Sequence, residues 1–335
     1  MKSLTHNHFQ KTAFIIVVTL VFATVSSGIF SRQAEAAKKD VLVVARAMDI
    51  NSLDPHIAFC DTCKVVIGMM YETLIKLGAD NKTILPQLAR NWEVSGDGMT
   101  YTFYLDEYAV FSDGSPVESK DVKFTIERWQ NLKQDSSMYA KSISKVDASD
   151  PRKVVITVSS WPSELLGQLA VPYAGIINSD VARANGAVST ADAPKKDKAE
   201  AWFMKNSVGS SPYVLESYRP DEEIRLKQNP KYWGKKPAIK RIIIKHVPEP
   251  VSQAQMLESG QVDIAMQIDA DTAKTIRNKN VVIKSQPSYY FNYVALVPGA
   301  TNLEVPLTPK VREAIALAID HEGMLDVTLG GAGRV

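Results

Sequence analysis

The sequence predicts an α/β fold built around a mixed sheet, and three observations carry that prediction. Residues 40–47 read DVLVVARA, an apolar run rich in β-branched residues with the length of a buried strand. From Trp92 to Leu105 the pattern has period two, with Trp92 and Val94 on one arm and Tyr101, Phe103 and Leu105 on the other. Val122, Ile126 and Trp129 then fall at i, i+4 and i+7, the stripe of a helix packed on a sheet. Strand and helix patterns keep alternating along the chain, which is the mark of this class.

Each element follows in order. The turn-rich Asp49-Ile50-Asn51-Ser52-Leu53-Asp54-Pro55 ends the first strand, and residues 64–77, with Val65, Met69 and Leu74, suit a core helix. Gly96-Asp97-Gly98 supplies the hairpin turn, and Asp113-Gly114-Ser115-Pro116 reads as a turn, not an acid catalyst. Residues 154–158 read as a further strand. Residues 188–198, VSTADAPKKDK, read as a solvated surface loop, and Glu222-Glu223 and Lys195-Lys196 as solvated faces. Strand signals resume at Tyr213-Val214-Leu215, Ile224-Arg225-Leu226 and Ile242-Ile243-Ile244. Residues 252–258 look helical and stop at Gly260, since glycine takes positive φ without a Cβ clash. Residues 262–266 return to strand. Thr308 can cap a helix with Pro309 at its first position, followed by an apolar stripe at Val311, Ile315, Ala318 and Ile319. Trp92, Trp129, Tyr232 and Trp233 are expected in scaffold packing.

The N-terminus is tripartite. Lys2 and Lys11 precede an uncharged apolar block from Thr12 to Phe30, and Ala34-Glu35-Ala36 follows. That pattern reads as a secretory signal peptide over residues 1–36, cut before Ala37, and predicts an envelope protein. A retained membrane anchor is the rival reading, since the apolar block is near the lower length for spanning a bilayer. The segment carries Lys2, Lys11 and Arg32 against Glu35, which accounts for the whole chain's net charge of +2. The remainder is balanced and offers no bulk electrostatic case for nucleic acid or an anionic membrane surface. Its length suggests about two domains. A C-terminal stop in Gly330-Gly331-Ala332-Gly333-Arg334-Val335 leaves the last domain too little surface for its own core, so the chain reads as cut short.

Cys60 and Cys63 are the two cysteines and form one C-x-x-C. In an oxidising compartment this spacing often closes as a tight disulfide bracing a loop; free thiols, or redox or metal duty, are the other readings. Enzyme motifs are missing: the sequence holds no G-x-S-x-G, no H-E-x-x-H and no glycine-rich phosphate loop opening a helix. Gly209-Ser210-Ser211 is no nucleophile elbow, because Pro212 blocks the helix that should follow. His56, His246 and His321 are scattered, as lone core or surface histidines are. No cofactor is called for.

Several segments, in order, carry a resemblance. They are Leu53-Asp54-Pro55-His56 with Met70-Tyr71-Glu72-Thr73-Leu74, then Leu85-Pro86-Gln87-Leu88-Ala89 leading to Trp92-Glu93-Val94-Ser95 and Tyr101-Thr102-Phe103. Phe111-Ser112-Asp113-Gly114-Ser115-Pro116 with Asp121-Val122 and Asn229-Pro230-Lys231-Tyr232-Trp233 follow. Leu257-Glu258-Ser259-Gly260-Gln261-Val262-Asp263-Ile264 and Val311-Arg312-Glu313-Ala314 with Ala318-Ile319-Asp320 complete the series. Together they resemble the family 5 extracellular solute-binding proteins of ABC importers, the peptide/nickel-binding type. One departure is Ser211 in Gly209-Ser210-Ser211-Pro212-Tyr213, where the family usually has a second glycine.

The resemblance implies a periplasmic binding protein-like type II fold, with two lobes of mixed sheets and an inserted subdomain. Residues 37–70 and 206–285 would form the main domain of lobe I, residues 71–205 the insert, and residues 286–335, from about Pro287, the start of an incomplete lobe II. It implies a monomeric periplasmic receptor that captures peptides or similar solutes by hinge closure and delivers them to an inner-membrane permease and ATPase. A non-peptide ligand (nickel chelate, opine or oligosaccharide) is the alternative, as is a receptor-fold chaperone or sensor without transport. In the resembling family the loop after L-D-P lies along the ligand cleft; here it reads Ala58, Phe59, Cys60, Asp61 and Thr62. Phe59 would offer an apolar wall. Asp61 would either hold a ligand amine or cap the helix that follows.

Overall fold

The computed structural model describes residues 40–159, 164–284, 293–299 and 306–329. The signal segment, Pro287 and the glycine-rich end lie outside the described residues.

A five-stranded sheet in the order β11-β1-β10-β9-β8 forms the base of the fold. It draws on β1 (Val41–Arg46) and, much later in the chain, on β8 (Tyr213–Arg219), β9 (Glu223–Gln228), β10 (Arg241–His246) and β11 (Ile264–Ala265). β1 runs parallel to β10 and β11, whereas β9 is antiparallel to β8 and β10, so the sheet is mixed. The parallel strands are the most continuously apolar, with Val44, Ala45, Ile242 and Ile244 all buried.

Between β1 and β8 the chain builds a second, antiparallel sheet in the order β4-β5-β7-β6. A two-stranded ribbon of β2 (Ile75–Leu77) and β3 (Ile84–Pro86) precedes it. The predicted hairpin is β4 (Ala89–Val94) with β5 (Thr100–Leu105), in a register that sets Trp92 opposite Phe103. Phe103 in turn faces Val154 of β7 (Lys153–Val158), and Tyr101 faces Ile156, so the inward residues of neighbouring strands coincide. The helix Ser119–Leu132 buries Val122, Ile126 and Trp129, as their spacing predicts, against β6 and β7. Asp121 closes a capping box with Glu118 at its start.

β6 (Ile143–Asp150) escapes sequence reading because register shifts at both ends break its alternation, leaving Ile143 and Val146 as its buried positions. Four expectations need correction. The helix read over residues 64–77 is Asp61–Met70, and Tyr71 is already extended. The carbonyls of Glu72, Thr73 and Leu74 accept instead from Ile176, Leu88 and Ala89, so tertiary partners replace the helical ladder there. The surface loop over 188–198 contains a short helix, Ala193–Lys196, and sends Asp197 inward to a buried arginine. Glu222 is solvated but Glu223 is buried, held by Arg219 and Arg225. The strand over 262–266 shrinks to Ile264–Ala265, although Asp263 and Met266 still donate to Val43 and Ala45 of β1.

The helix Pro250–Glu258 ends before Gly260, which takes φ +72°. Near the C-terminus Thr308 caps the helix Pro309–Ala318 by accepting from the Val311 amide, but none of that helix's residues is buried. No helix among the described residues is long and apolar enough to cross a membrane.

Candidate ligand cleft at the carboxyl edge of the main sheet

β1, β10 and β11 all end at one edge of the sheet, the edge beyond which open α/β sheets bind ligands. The connection leaving β1, residues 47–60, runs along it into the helix Asp61–Met70. Asp49 ties that loop to the helix. Its two carboxylate oxygens accept from the amides of Asp61 (3.0 Å) and Thr62 (2.9 Å), two donors that no intrahelical carbonyl can serve. Partial burial alone would raise the Asp49 carboxyl; the hydrogen bonds from Thr62 and Asp61 outweigh it and hold it below the ordinary aspartate value. Cys60 is the N-cap, with its sulfur accepting from the Cys63 amide at 3.0 Å. A disulfide joins Cys60 to Cys63 across a Cα–Cα distance of 5.0 Å.

Two aromatic residues from the middle segment meet this loop. The Tyr173 hydroxyl donates to the Cys60 carbonyl (3.0 Å) and accepts from the Cys60 amide (3.2 Å). Burial pushes that phenol up to about 12. Its ring lies 5.5 Å from that of Phe59. Together with Tyr139 these groups border an open cleft of about 330 Å³, lined by Asp49, Phe59, Cys60, Asp61, Lys64, Tyr139 and Tyr173. Asp61 pairs with Lys64 at 2.8 Å. Two carboxylates against one ammonium make the lining net anionic, and its aromatic rings add apolar wall. Such a lining suits a small solute carrying an amine beside apolar surface.

Of the five residues predicted from sequence, Phe59, Cys60 and Asp61 line the cleft, whereas Ala58 and Thr62 are fully buried. The capping role considered for Asp61 falls to Cys60 and Asp49, and Asp61 occupies the first turn. Asp49, Lys64, Tyr139 and Tyr173 were not anticipated. Asp49 had a faint signal, an acidic residue in a turn-rich stretch; the tyrosines are distant in sequence and had none.

Behind the cleft the Leu53-Asp54-Pro55-His56 segment is locked by a buried charge network. Arg128, from the helix Ser119–Leu132, donates to Asp54 and also to Asp197 (2.8 and 3.0 Å), and stacks 5.3 Å from the centre of the Phe203 ring. His56 accepts from Arg128 at Nδ1 (3.0 Å), and its Nε2 donates to the Gly175 carbonyl (3.3 Å). Burial, reinforced by the Arg128 charge, lowers the His56 imidazole to about 4 and keeps it neutral. Burial would lift Asp197 too, but the hydrogen bonds and charge of Arg128 overcome it and leave that carboxyl below its ordinary value. A second buried acid, Glu72, accepts from Trp233 Nε1 at 2.8 Å and from the Tyr232 hydroxyl at 3.3 Å. The Tyr-Trp pair therefore anchors the main sheet's β9–β10 connection to the segment that leaves the first helix. Among the described residues no three histidine, cysteine or acidic side chains gather as a metal site.

Comparison with known proteins identifies the family and the fold. Residues 83–335 match the family described as bacterial extracellular solute-binding proteins, family 5 Middle. The probable D,D-dipeptide-binding periplasmic protein DdpA of Escherichia coli K12 is 30% identical over 305 residues, covering 89% of this chain and 57% of its own length. The glutathione-binding protein GsiB of Salmonella paratyphi A is 28% identical over 324 residues, covering 96% of this chain and 59% of its own. The chain thus spans 57–59% of the length of these relatives. Among solved structures, NikZ from Campylobacter jejuni in complex with Ni(L-His) superposes with a TM-score of 0.63 at 24% identity, over 72% of this chain and 46% of its own, and so shares the fold. With the family model matched over most of its length, the chain belongs to the family 5 bacterial extracellular solute-binding proteins.

Proposed function

We propose that this chain is the ligand-capturing part of a periplasmic receptor that delivers a peptide or similar small solute to an ABC permease and its ATPase. The observation that carries the reading is the cleft itself. Phe59, Cys60 and Asp61 line it at the carboxyl edge of the parallel strands, on a loop whose amides are already satisfied and whose base is locked by Arg128. A rigid loop of this kind holds a ligand without reorganising, which lowers the ordering cost of binding. Names of relatives support a small solute: a D,D-dipeptide for DdpA and glutathione for GsiB, both short and peptide-like. In this reading residues 37–70 and 206–285 form the main domain of a first lobe, residues 71–205 an insert, and residues 286–335 the start of a second lobe that closes over the solute. The receptor acts as a monomer.

Native mass spectrometry of the full-length receptor isolated from the periplasm tests the reading. A retained solute of peptide-like mass, released on denaturation and exchangeable for added peptide, is the expected result. A solute returned with a cleaved bond would overturn it in favour of a hydrolase.

A further inference from the structure

We propose that Arg46 and His246 form a two-point site for the carboxylate of a bound solute at the carboxyl edge of the main sheet. The proposal rests on the receptor reading above and narrows its ligand to one with a free carboxylate.

Arg46 is the last residue of β1 and is only 6% exposed. Its Nε has no hydrogen-bond partner, and no carboxylate pairs with its guanidinium among the described residues. Among the described residues the other buried arginine, Arg128, is held by two carboxylates. A buried donor left without a partner costs free energy, and its retention beside a charged fork fits an anion that comes and goes. Arg46 also stands where a ligand arrives, since β1 ends there and the cleft loop begins.

His246 supplies the second point. It ends β10 and is the register partner of Arg46 across the parallel pair, which sets both side chains on the same face of strands about 4.8 Å apart. Its Nδ1 accepts from the Met48 amide at 2.9 Å, so Nδ1 carries no proton and the N–H of the neutral ring sits on Nε2. Nε2 has no partner among the described residues. A guanidinium fork and an imidazole N–H side by side are donors only. They match the acceptor oxygens of a carboxylate and reject an ammonium. Val44 and Ile244, one step back on the same face, are buried and apolar, which strengthens a charge-assisted bond formed there.

Three measurements test the site. Arg46→Met keeps the length of the stem and removes the charge. Without ligand its melting temperature should equal or exceed that of the parent; a clear fall would mean that an acidic side chain of the protein already satisfies Arg46, and would overturn the proposal. Calorimetry of the full-length receptor with tri-alanine and with tri-alanine amide should show the free acid bound about tenfold more tightly, a preference that Arg46→Met abolishes and Arg46→Lys keeps in part. Equal binding of acid and amide by the parent overturns the site while leaving the receptor reading intact. If neither peptide binds, the peptide reading fails, and the site is decided by melting in acetate against chloride of equal strength. Acetate should stabilise the parent and not Arg46→Met, and an equal response of the two overturns the site.

Discussion

Arg128 donates to Asp54 through both terminal nitrogens, at 2.8 Å to Oδ1 and 2.6 Å to Oδ2, and neither side chain is exposed. The pair joins the loop beneath the cleft to a helix of the second sheet, and Asp197 extends it at 2.8 Å. Its role is positional: it fixes the Leu53-Asp54-Pro55-His56 segment from which the cleft loop departs.

Arg128→Met should therefore destabilise the fold by about 3–5 kcal/mol, because two buried carboxylates lose their cation. Arg128→Lys should recover only part of the loss, since a point charge cannot serve Asp54 and Asp197 at once. Urea unfolding measures both. A loss under about 1 kcal/mol for Arg128→Met would show that the network is dispensable.

His56 gives the fold an acid-sensitive step. Burial, then the Arg128 charge, depresses its imidazole from 6.5 to about 4. The unfolded chain takes up a proton near 6.5 while the folded one resists, so stability is full above that pH and falls as pH drops toward 4. The loss from this residue is about 3 kcal/mol across that window. His56→Gln should flatten the pH dependence between 6.5 and 4, read from unfolding curves at several pH values. An unchanged slope would assign the acid loss elsewhere.

Gly209 is needed for close approach of two backbones. A Cβ there would lie 2.1 Å from the Met70 carbonyl oxygen and 2.7 Å from the Tyr71 ring. Neither the helix end nor the buried ring can yield, so Gly209→Ala should cost about 1–3 kcal/mol in thermal or urea unfolding. A neutral substitution would mean that this crossing is looser than the structure shows.

The Cys60–Cys63 bond should be present in protein recovered from the periplasm, as intact mass after alkylation with and without reductant will show. Because the bridge closes a very short loop, its loss in Cys60→Ser/Cys63→Ser should cost only about 2 kcal/mol or less. Complete alkylation without reductant would show free thiols instead.

Much of the scaffold was legible in the sequence because its signals are local. The β4–β5 alternation, the Val122, Ile126 and Trp129 stripe and the Thr308-Pro309 cap each depend on a few neighbouring residues. What escaped depends on distance. Asp197 looked like part of a solvated loop because its partner, Arg128, lies 69 residues away. The helix from Asp61 looked longer because Leu74 is apolar, yet Leu74 reaches the core from a bend beyond the helix. In the cleft, Phe59 and Asp61 stood in a recognisable loop, whereas Tyr139 and Tyr173 arrive from a separate segment with no motif to announce them.

The most direct test of the cleft is the dissociation constant of Asp61→Asn in the full-length receptor for the peptide identified by native mass spectrometry, measured beside its melting temperature. Asp61 does not cap its helix, since Cys60 and Asp49 serve the first amides, and its exposed pair with Lys64 contributes little. Binding should weaken by at least about 1 kcal/mol, roughly fivefold, with the melting temperature nearly unchanged. An unaltered dissociation constant would contradict the assignment of this cleft as the ligand site.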